Sequence, residues 1–281
     1  VIILTHIRHS SFDESLNGIE DVLRKKGYSL LIASSNEDDE REYENIRTLV
    51  YKRVDGMLIS ISSKTDDTER FEFLKSQNIP FVFFDRIVDD LGVSTVAVDH
   101  GKINRMLVQH LKDIGYGEHF YFTGPLKGIV GKRRLESYKK ALQDCGLEYR
   151  EENVFHLELS EEGGRQGLEK ILAMGKRHVG INTSASMQAL GVLKAAREHR
   201  IKIPDDLVLT GYHVTPVTEI VYPRITAVQF SIYDMGKIAA QMLLDQLLNK
   251  EEKYSPRQVF IETRLLVRES SLISTESTSK G

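Results

Sequence analysis

Phe81-Val-Phe-Phe-Asp-Arg-Ile-Val-Asp-Asp-Leu-Gly-Val-Ser-Thr-Val-Ala-Val-Asp-His-Gly101 decides the fold. Its first four residues are an unbroken apolar run, as expected of a parallel strand covered on both faces. The run stops at the charged pair Asp85-Arg86, where such a strand should end. A polar turn leads to a second β-branched run, Thr95–Val98, and Asp99-His100-Gly101 then opens a helix. Upstream, the chain reads as one complete set of strand–helix units; downstream, a second set begins. In open α/β sheets ligands bind beyond the carboxyl ends of the strands, which puts Asp85 where a ligand is expected.

Working back from Phe81, strands are expected at Val1–Ile7, Ser29–Ala33 and Gly56–Ile61. Helices are expected from Leu16 to Lys26, over Asp38–Tyr51 and over Asp67–Gln77, each with apolar residues at helical spacing. Working forward, helices are expected from Ile103 to Ile114 and over Arg133–Cys145, Glu161–Met174, Ser184–His199 and Ser231–Leu248. Strands are expected at His119–Thr123, Asn153–Leu157, Val179–Ile181, Leu207–Gly211, Ile225–Val228 and, as one last strand, Gln258–Val267. This alternation without hairpin signals implies an α/β fold with parallel sheets.

Composition narrows the function. The 281 residues allow one large domain or two ordinary ones. A net charge of −3 gives no basic field suited to gripping nucleic acid. The single cysteine, Cys145, rules out an internal disulfide and reads as core filler in a reducing compartment. No apolar run approaches the roughly 20 residues of a membrane span. The start does not read as a signal peptide, and Val1 already lies in an expected strand, so a preceding segment is expected.

Gly124–Arg134, GPLKGIVGKRR, is glycine-rich and basic between an expected strand and helix. It is not a phosphate-cradling P-loop: Leu126 and Arg133 stand where that motif wants glycine and a hydroxyl. Lys132, Arg133 and Arg134 are expected at a helix N-terminus, where the macrodipole disfavours cations unless an anion answers them. The alternatives are a solvated basic surface and an arginine facing a ligand. His6 and His9 lack an acidic partner at metal-site spacing and read as ordinary histidines. Phe12 is either a ligand-stacking ring or a helix staple. No nucleophile elbow or paired-carboxylate pattern stands out, so no enzymatic activity and no cofactor or metal are expected.

From Val1 to about Ser270 the chain resembles the effector-binding core of the lactose-repressor/galactose-repressor (LacI/GalR) family of bacterial regulators. The matching stretches run in order: Ser10–Asp38, RVDGMLIS from Arg53, FVFFDR from Phe81 and VAVDHG from Val96. They continue with His110–Pro125, RRLESYKKAL from Arg133, Ala189–Tyr212, YDMGKIAAQMLLDQL from Tyr233 and VRESS from Val267.

That resemblance implies two Rossmann-like lobes joined by three crossovers, a periplasmic-binding-protein-like α/β fold with the effector between the lobes. The first lobe would comprise 1–98 and 229–262, the second 99–228 and 263–272, with 273–281 a flexible tail. It also implies a cytoplasmic homodimer, a preceding helix-turn-helix domain that meets operator DNA, and a small sugar-like effector. Carried over position by position, the ligand contacts fall on Phe12, Asp85, Arg134, Ala185, His213 and, less directly, Leu159 and Phe230. The chain departs from the family at Ala185-Ser186, where an Asn-Asp pair is usual, at His213, where an Asp is common, and at His100, where Asn is common. Two groups suited to sugar hydroxyls are thus changed, so an acidic or phosphorylated sugar is expected over a neutral one. A phosphoprotein corepressor is disfavoured, since Asp234 is retained but Gln241 stands where a cation is wanted. An exported solute-binding protein is the alternative reading.

Overall fold

A computed structural model describes residues 2–4, 10–248 and 254–273. The chain forms two compact units. Unit 1 comprises 1–99, 127–132 and 231–262, and unit 2 comprises 100–126, 133–230 and 263–281. His6, His9 and residues 274–281 of the expected tail lie outside the described residues.

The sheet of unit 1 contains β1 (Ile2–Leu4), β2 (Ile32–Ser34), β3 (Met57–Ile59), β4 (Phe81–Phe84), β5 (Ser94–Val98) and, late in the chain, β11 (Gln258–Ile261). Their order is β11-β5-β4-β3-β1-β2, all parallel. Four helices belong to this unit: α1 (Ser10–Leu23), α2 (Asp39–Tyr51), α3 (Glu69–Ser76) and α9 (Ile232–Leu248). Asp38 caps α2 by accepting a hydrogen bond from Arg41 N at 2.8 Å. The core packs Ile46 and Leu49 of α2 and Phe71 and Leu74 of α3 against Met57, Ile59, Phe81 and Phe83. Each such side chain contributes about 1.5–3 kcal/mol by leaving water. α9 packs on β3, β4 and β5. It also crosses α1 at two glycines: a Cβ on Gly18 would stand 2.1 Å from Tyr233 O, and one on Gly236 2.2 Å from Ser15 O. Glycine alone permits that approach of backbones.

Unit 2 repeats the plan. Its sheet contains β6 (His119–Thr123), β7 (Val154–His156), β8 (Gly180–Thr183), β9 (Val208–Gly211), β10 (Thr226–Gln229) and β12 (Arg264–Leu266), in the order β12-β10-β9-β8-β6-β7. The helices are α4 (His100–Asp113), α5 (Ile129–Asp144, of which 129–132 belong to unit 1), α6 (Glu161–Ala173), α7 (Ser186–Glu198) and the short α8 (Pro216–Ile220). On one face Phe120, Phe122, Ile181 and Leu209 meet α6 and α7. On the other, Tyr121 meets Val108 of α4 and Leu135, Tyr138 and Leu142 of α5, with Cys145 alongside as core filler. α6 and α7 cross at Gly164 and Gly191, where added Cβ atoms would lie 2.0 and 1.9 Å from Gln188 O and Glu161 O.

Three expectations need correction. The last strand, expected over Gln258–Val267, is two strands: β11 runs parallel to β5, and β12 runs antiparallel to β10. The residues alternate without a turn signal, and the break at Glu262-Thr263 is set by which sheet each half joins. The helix expected from Arg133 begins at Ile129, so Lys132, Arg133 and Arg134 follow its first residues rather than open it. Gly128 makes the earlier start possible, with φ +87° and no room for a Cβ, which would fall 2.2 Å from Ser63 O. Ile129 N then donates to Thr65 O at 2.9 Å. The strand expected at Ser29–Ala33 forms only at Ile32–Ser34, in register with β1. α8, five residues long, was not anticipated.

Candidate functional site

In unit 2 the carboxyl ends of β6, β8, β9 and β10 carry Gly124, Ser184-Ala185, Tyr212-His213 and Phe230. α4 opens with His100, and α5 supplies Arg134. His100 Nδ1 and the Tyr212 hydroxyl share a short hydrogen bond. The Arg134 guanidinium lies over the Tyr212 ring at 5.1 Å from its centroid, a cation–π seat. Arg134 Nε is buried without a hydrogen-bond partner, and no carboxylate pairs with Arg134 among the described residues. The contrast with other buried or half-buried arginines is clear: Arg70 meets Glu42 and Asp67, Arg86 meets Glu37, and Arg268 meets Glu219.

Burial holds His100 well below the ordinary imidazole range, and the neighbouring Arg134 and Arg133 charges depress it further. His213 stacks on Phe230, with ring centroids 4.0 Å apart and planes 24° from parallel. Burial lowers His213 to about 4, against a smaller upward pull from its hydrogen bond to the Phe230 backbone. Both imidazoles are therefore neutral at pH 7, and the charge at this end of unit 2 comes from arginine. Ala185 is the N-cap of α7 without a side-chain cap. In place of one, Ser184 N donates to Gln188 Oε1 at 3.2 Å, and Ser184 Oγ donates to Tyr121 OH at 3.1 Å. Leu159 packs at the place where a Cβ on Gly124 would stand, 3.2 Å from its Cδ2.

In unit 1, Asp85 ends β4 with φ +62°, a left-handed conformation that Asp tolerates. Asp85 N donates to Val96 O at 2.9 Å, and Ser60 Oγ donates to Asp85 Oδ2 at 3.4 Å. Phe12 lies on α1 and is 7% exposed, with Ser15 Oγ donating to its carbonyl at 2.8 Å. Two carboxylates brace the loop after β3. Glu37 accepts from Ser63 N at 2.7 Å and pairs with Arg86 at 2.5 Å. Burial would raise its pKa, but Arg86 and the Ser63 hydrogen bonds outweigh that and leave it lowered. Glu42, wholly buried, accepts from Ser62 N at 2.6 Å and Thr65 Oγ1 at 2.9 Å. For Glu42 burial wins over these donors and Arg70, raising it to about 7.

The structure thus gathers Arg134, Ala185, His213 and Phe230 at one end of the unit 2 sheet or on the helix beside it, with Leu159 against Gly124, and places Asp85 and Phe12 in unit 1. Sequence reasoning missed Tyr212, the partner of both His100 and Arg134. It also missed Glu42, whose only signal was an acid among the apolar positions of α2. Among the described residues no three His, Cys, Asp or Glu side chains gather as a metal site.

A model of the periplasmic binding protein-like domain matches residues 108–271, more than half the chain. The chain belongs to that family. Along almost its whole length this periplasmic binding protein-like chain is similar to transcription regulators. It is 29% identical to the HTH-type transcriptional regulator RegA of Clostridium saccharobutylicum, covering 96% of this chain and 81% of that protein. It is 26% identical to catabolite control protein A of Priestia megaterium, over 89% of this chain and 75% of that one. Among solved structures, the regulator CcpA of Lactococcus lactis superposes with a TM-score of 0.85 at 27% identity, covering 96% of this chain and 98% of that one. These relatives support a regulator core over the exported solute-binding alternative. No helix of the described residues is long and apolar enough to cross a membrane.

Proposed function

We propose that the chain senses an acidic or phosphorylated sugar and that Arg134 is the group that holds its anion. One observation carries this reading: a half-buried guanidinium seated on an aromatic ring, with no carboxylate partner among the described residues. A buried cation without a counter-ion is costly, and a ligand carboxylate or phosphate supplies one with charge-assisted hydrogen bonds. His213 and Phe230 offer a flat wall for a sugar ring, and neutral His213 can exchange a hydrogen bond with a hydroxyl. Ala185 and Leu159 complete the contacts proposed in unit 2, and in unit 1 Asp85 and Phe12 are the residues proposed to face ligand. The sugar class is supported by similar folds: a regulator CelR is known with cellobiose, and a LacI family regulator from Enterococcus faecium with ribose.

The role is binding without turnover, in the cytoplasm, within a homodimer whose partner segment meets operator DNA. Ile220 and Tyr222, 81% and 74% exposed, supply apolar surface for a second copy. The ligand acts by linkage: it shifts the regulator only by its difference in affinity for the two states. A coupling of about 1–3 kcal/mol makes a useful switch. Calorimetric titration with glucose, gluconate and glucose 6-phosphate tests the ligand class. The charged sugars are expected to bind more tightly, and Arg134→Leu to cost them about 10- to 100-fold, the worth of hydrogen bonds to a charged group. Preference for the neutral sugar overturns the reading.

A further inference from the structure

We propose that His100 and Tyr212 form a positioning pair that holds the Arg134 guanidinium in place and so sets the preference for an anionic ligand. This rests on the function proposed above and adds the residues that prepare the anion's seat.

Among the described residues no carboxylate holds Arg134, and its Nε has no acceptor. A long side chain without such an anchor ordinarily keeps its rotamer freedom. What fixes it is the Tyr212 ring, 5.1 Å below its Cζ. Tyr212 lies just after β9 and is 5% exposed. Its hydroxyl is tied to His100 Nδ1, the two rings standing 5.8 Å apart at 46°. The three groups come from α4, the loop after β9 and α5, so the ring is held at its hydroxyl by His100 and covered on a face by Arg134.

The protonation state gives the arrangement its direction. Burial, with the Arg134 and Arg133 charges, keeps His100 neutral; in the tautomer that carries its proton on Nε2, Nδ1 accepts and the tyrosine hydroxyl donates. A phenol that donates its proton into a hydrogen bond gains electron density on the ring, which strengthens the ring's hold on a cation. A charged His100 would have to donate instead, and would add a third cation beside the two arginines. The seat therefore requires a neutral acceptor at residue 100. Other titratable and charged neighbours along the chain are Asp99 and Lys102.

The test has a ligand-free arm and a ligand arm. In the free protein, the Arg134 Hε resonance is expected upfield, shifted by the Tyr212 ring. His100→Phe is expected to abolish that shift, and His100→Gln, which keeps an acceptor, to retain it. Tyr212→Phe keeps the ring without the hydroxyl and is expected to weaken the shift; it guards against an outcome in which His100→Phe fails to fold. In the ligand arm, the preference for glucose 6-phosphate over glucose is expected to fall about ten-fold in Tyr212→Leu and about three-fold in Tyr212→Phe, the range for losing or weakening a partly desolvated cation–π contact. A residue that merely supports the fold would weaken both ligands alike. An unshifted Hε resonance in the wild type, or a shift and a preference that survive His100→Phe and Tyr212→Phe, overturns the positioning pair. If the shift behaves as expected but the wild type prefers glucose, the ligand class proposed above is wrong while the seat itself stands.

Discussion

Unit 1 buries an acid where unit 2 buries imidazoles. Glu42 sits under the loop after β3 with its pKa raised to about 7. His119, at the start of β6, and His213, after β9, are lowered to about 4. Burial is the first cause in all three, and it pushes each group toward its neutral form. The two units are alike in plan, with six-stranded sheets and a pair of helices crossing at glycines, yet they answer pH with opposite sign. A similar scaffold does not carry the same electrostatics, because the titratable side chains buried in it differ: a carboxyl in unit 1, imidazoles in unit 2.

The largest effects should come where the two units are alike. Gly236→Val and Gly191→Val would each drive a Cβ into a backbone carbonyl, 2.2 Å from Ser15 O and 1.9 Å from Glu161 O. Each is expected to lose about 3 kcal/mol or more, since backbone cannot move aside as a side chain can. Urea melts of both variants measure this, and a large loss at only one of them would break the likeness between the crossings.

Next comes the contrast in pH. Between pH 4.5 and about 7 native Glu42 keeps a proton that the unfolded chain has lost. Its contribution to stability therefore falls as pH rises through that window, by up to about 3 kcal/mol. Glu42→Gln should flatten this limb in denaturant melts taken across the range. His119 has the reverse sign. From pH 6.5 down to about 4 the unfolded imidazole takes up a proton and the native one does not. Stability is then lost as pH falls, and His119→Gln should flatten the acid limb by up to about 3 kcal/mol. The same slope in either variant as in the parent would remove that group from the comparison.

The smallest expected effect is at Asp85. Its φ of +62° suits glycine, so Asp85→Gly should change stability by no more than about 1 kcal/mol while it removes the proposed polar contact. Melting and ligand titration of the same sample separate the two.

Legibility in the sequence followed the range of the forces involved. Phe81–Phe84 and His119–Thr123 form strands with the bounds their apolar runs imply, because a strand covered on both faces is apolar at every position. The run from Gln258 was misjudged because two different sheets claim its halves, and no glycine or proline marks Glu262-Thr263. Arg134 is singled out by the family resemblance, while its neighbours in the chain leave it level with Lys132 and Arg133. Tyr212 is not, for it reads as the polar end of a strand. Its importance arises only when folding brings it to His100, 112 residues away in sequence. Glu42 was hidden in the same way: it is one of four acids at the start of α2, with Asp39, Glu40 and Glu44, and only its contacts with the loop after β3 and with Arg70 mark it as a buried group.

The late position of α9 has a consequence for synthesis. The groove on α1 at Gly18 is filled by residues near Tyr233 and Lys237. Everything else that unit 1 takes from the first 99 residues leaves the ribosome much earlier. At ordinary translation speeds the delay is on the order of ten seconds, long compared with helix and hairpin formation. Through that interval the nascent first sheet lacks both its last strand and the helix that covers β3, β4 and β5. Unit 1 is begun first and closed almost last, so a chain cut short before α9 leaves its apolar sheet face open to the cell.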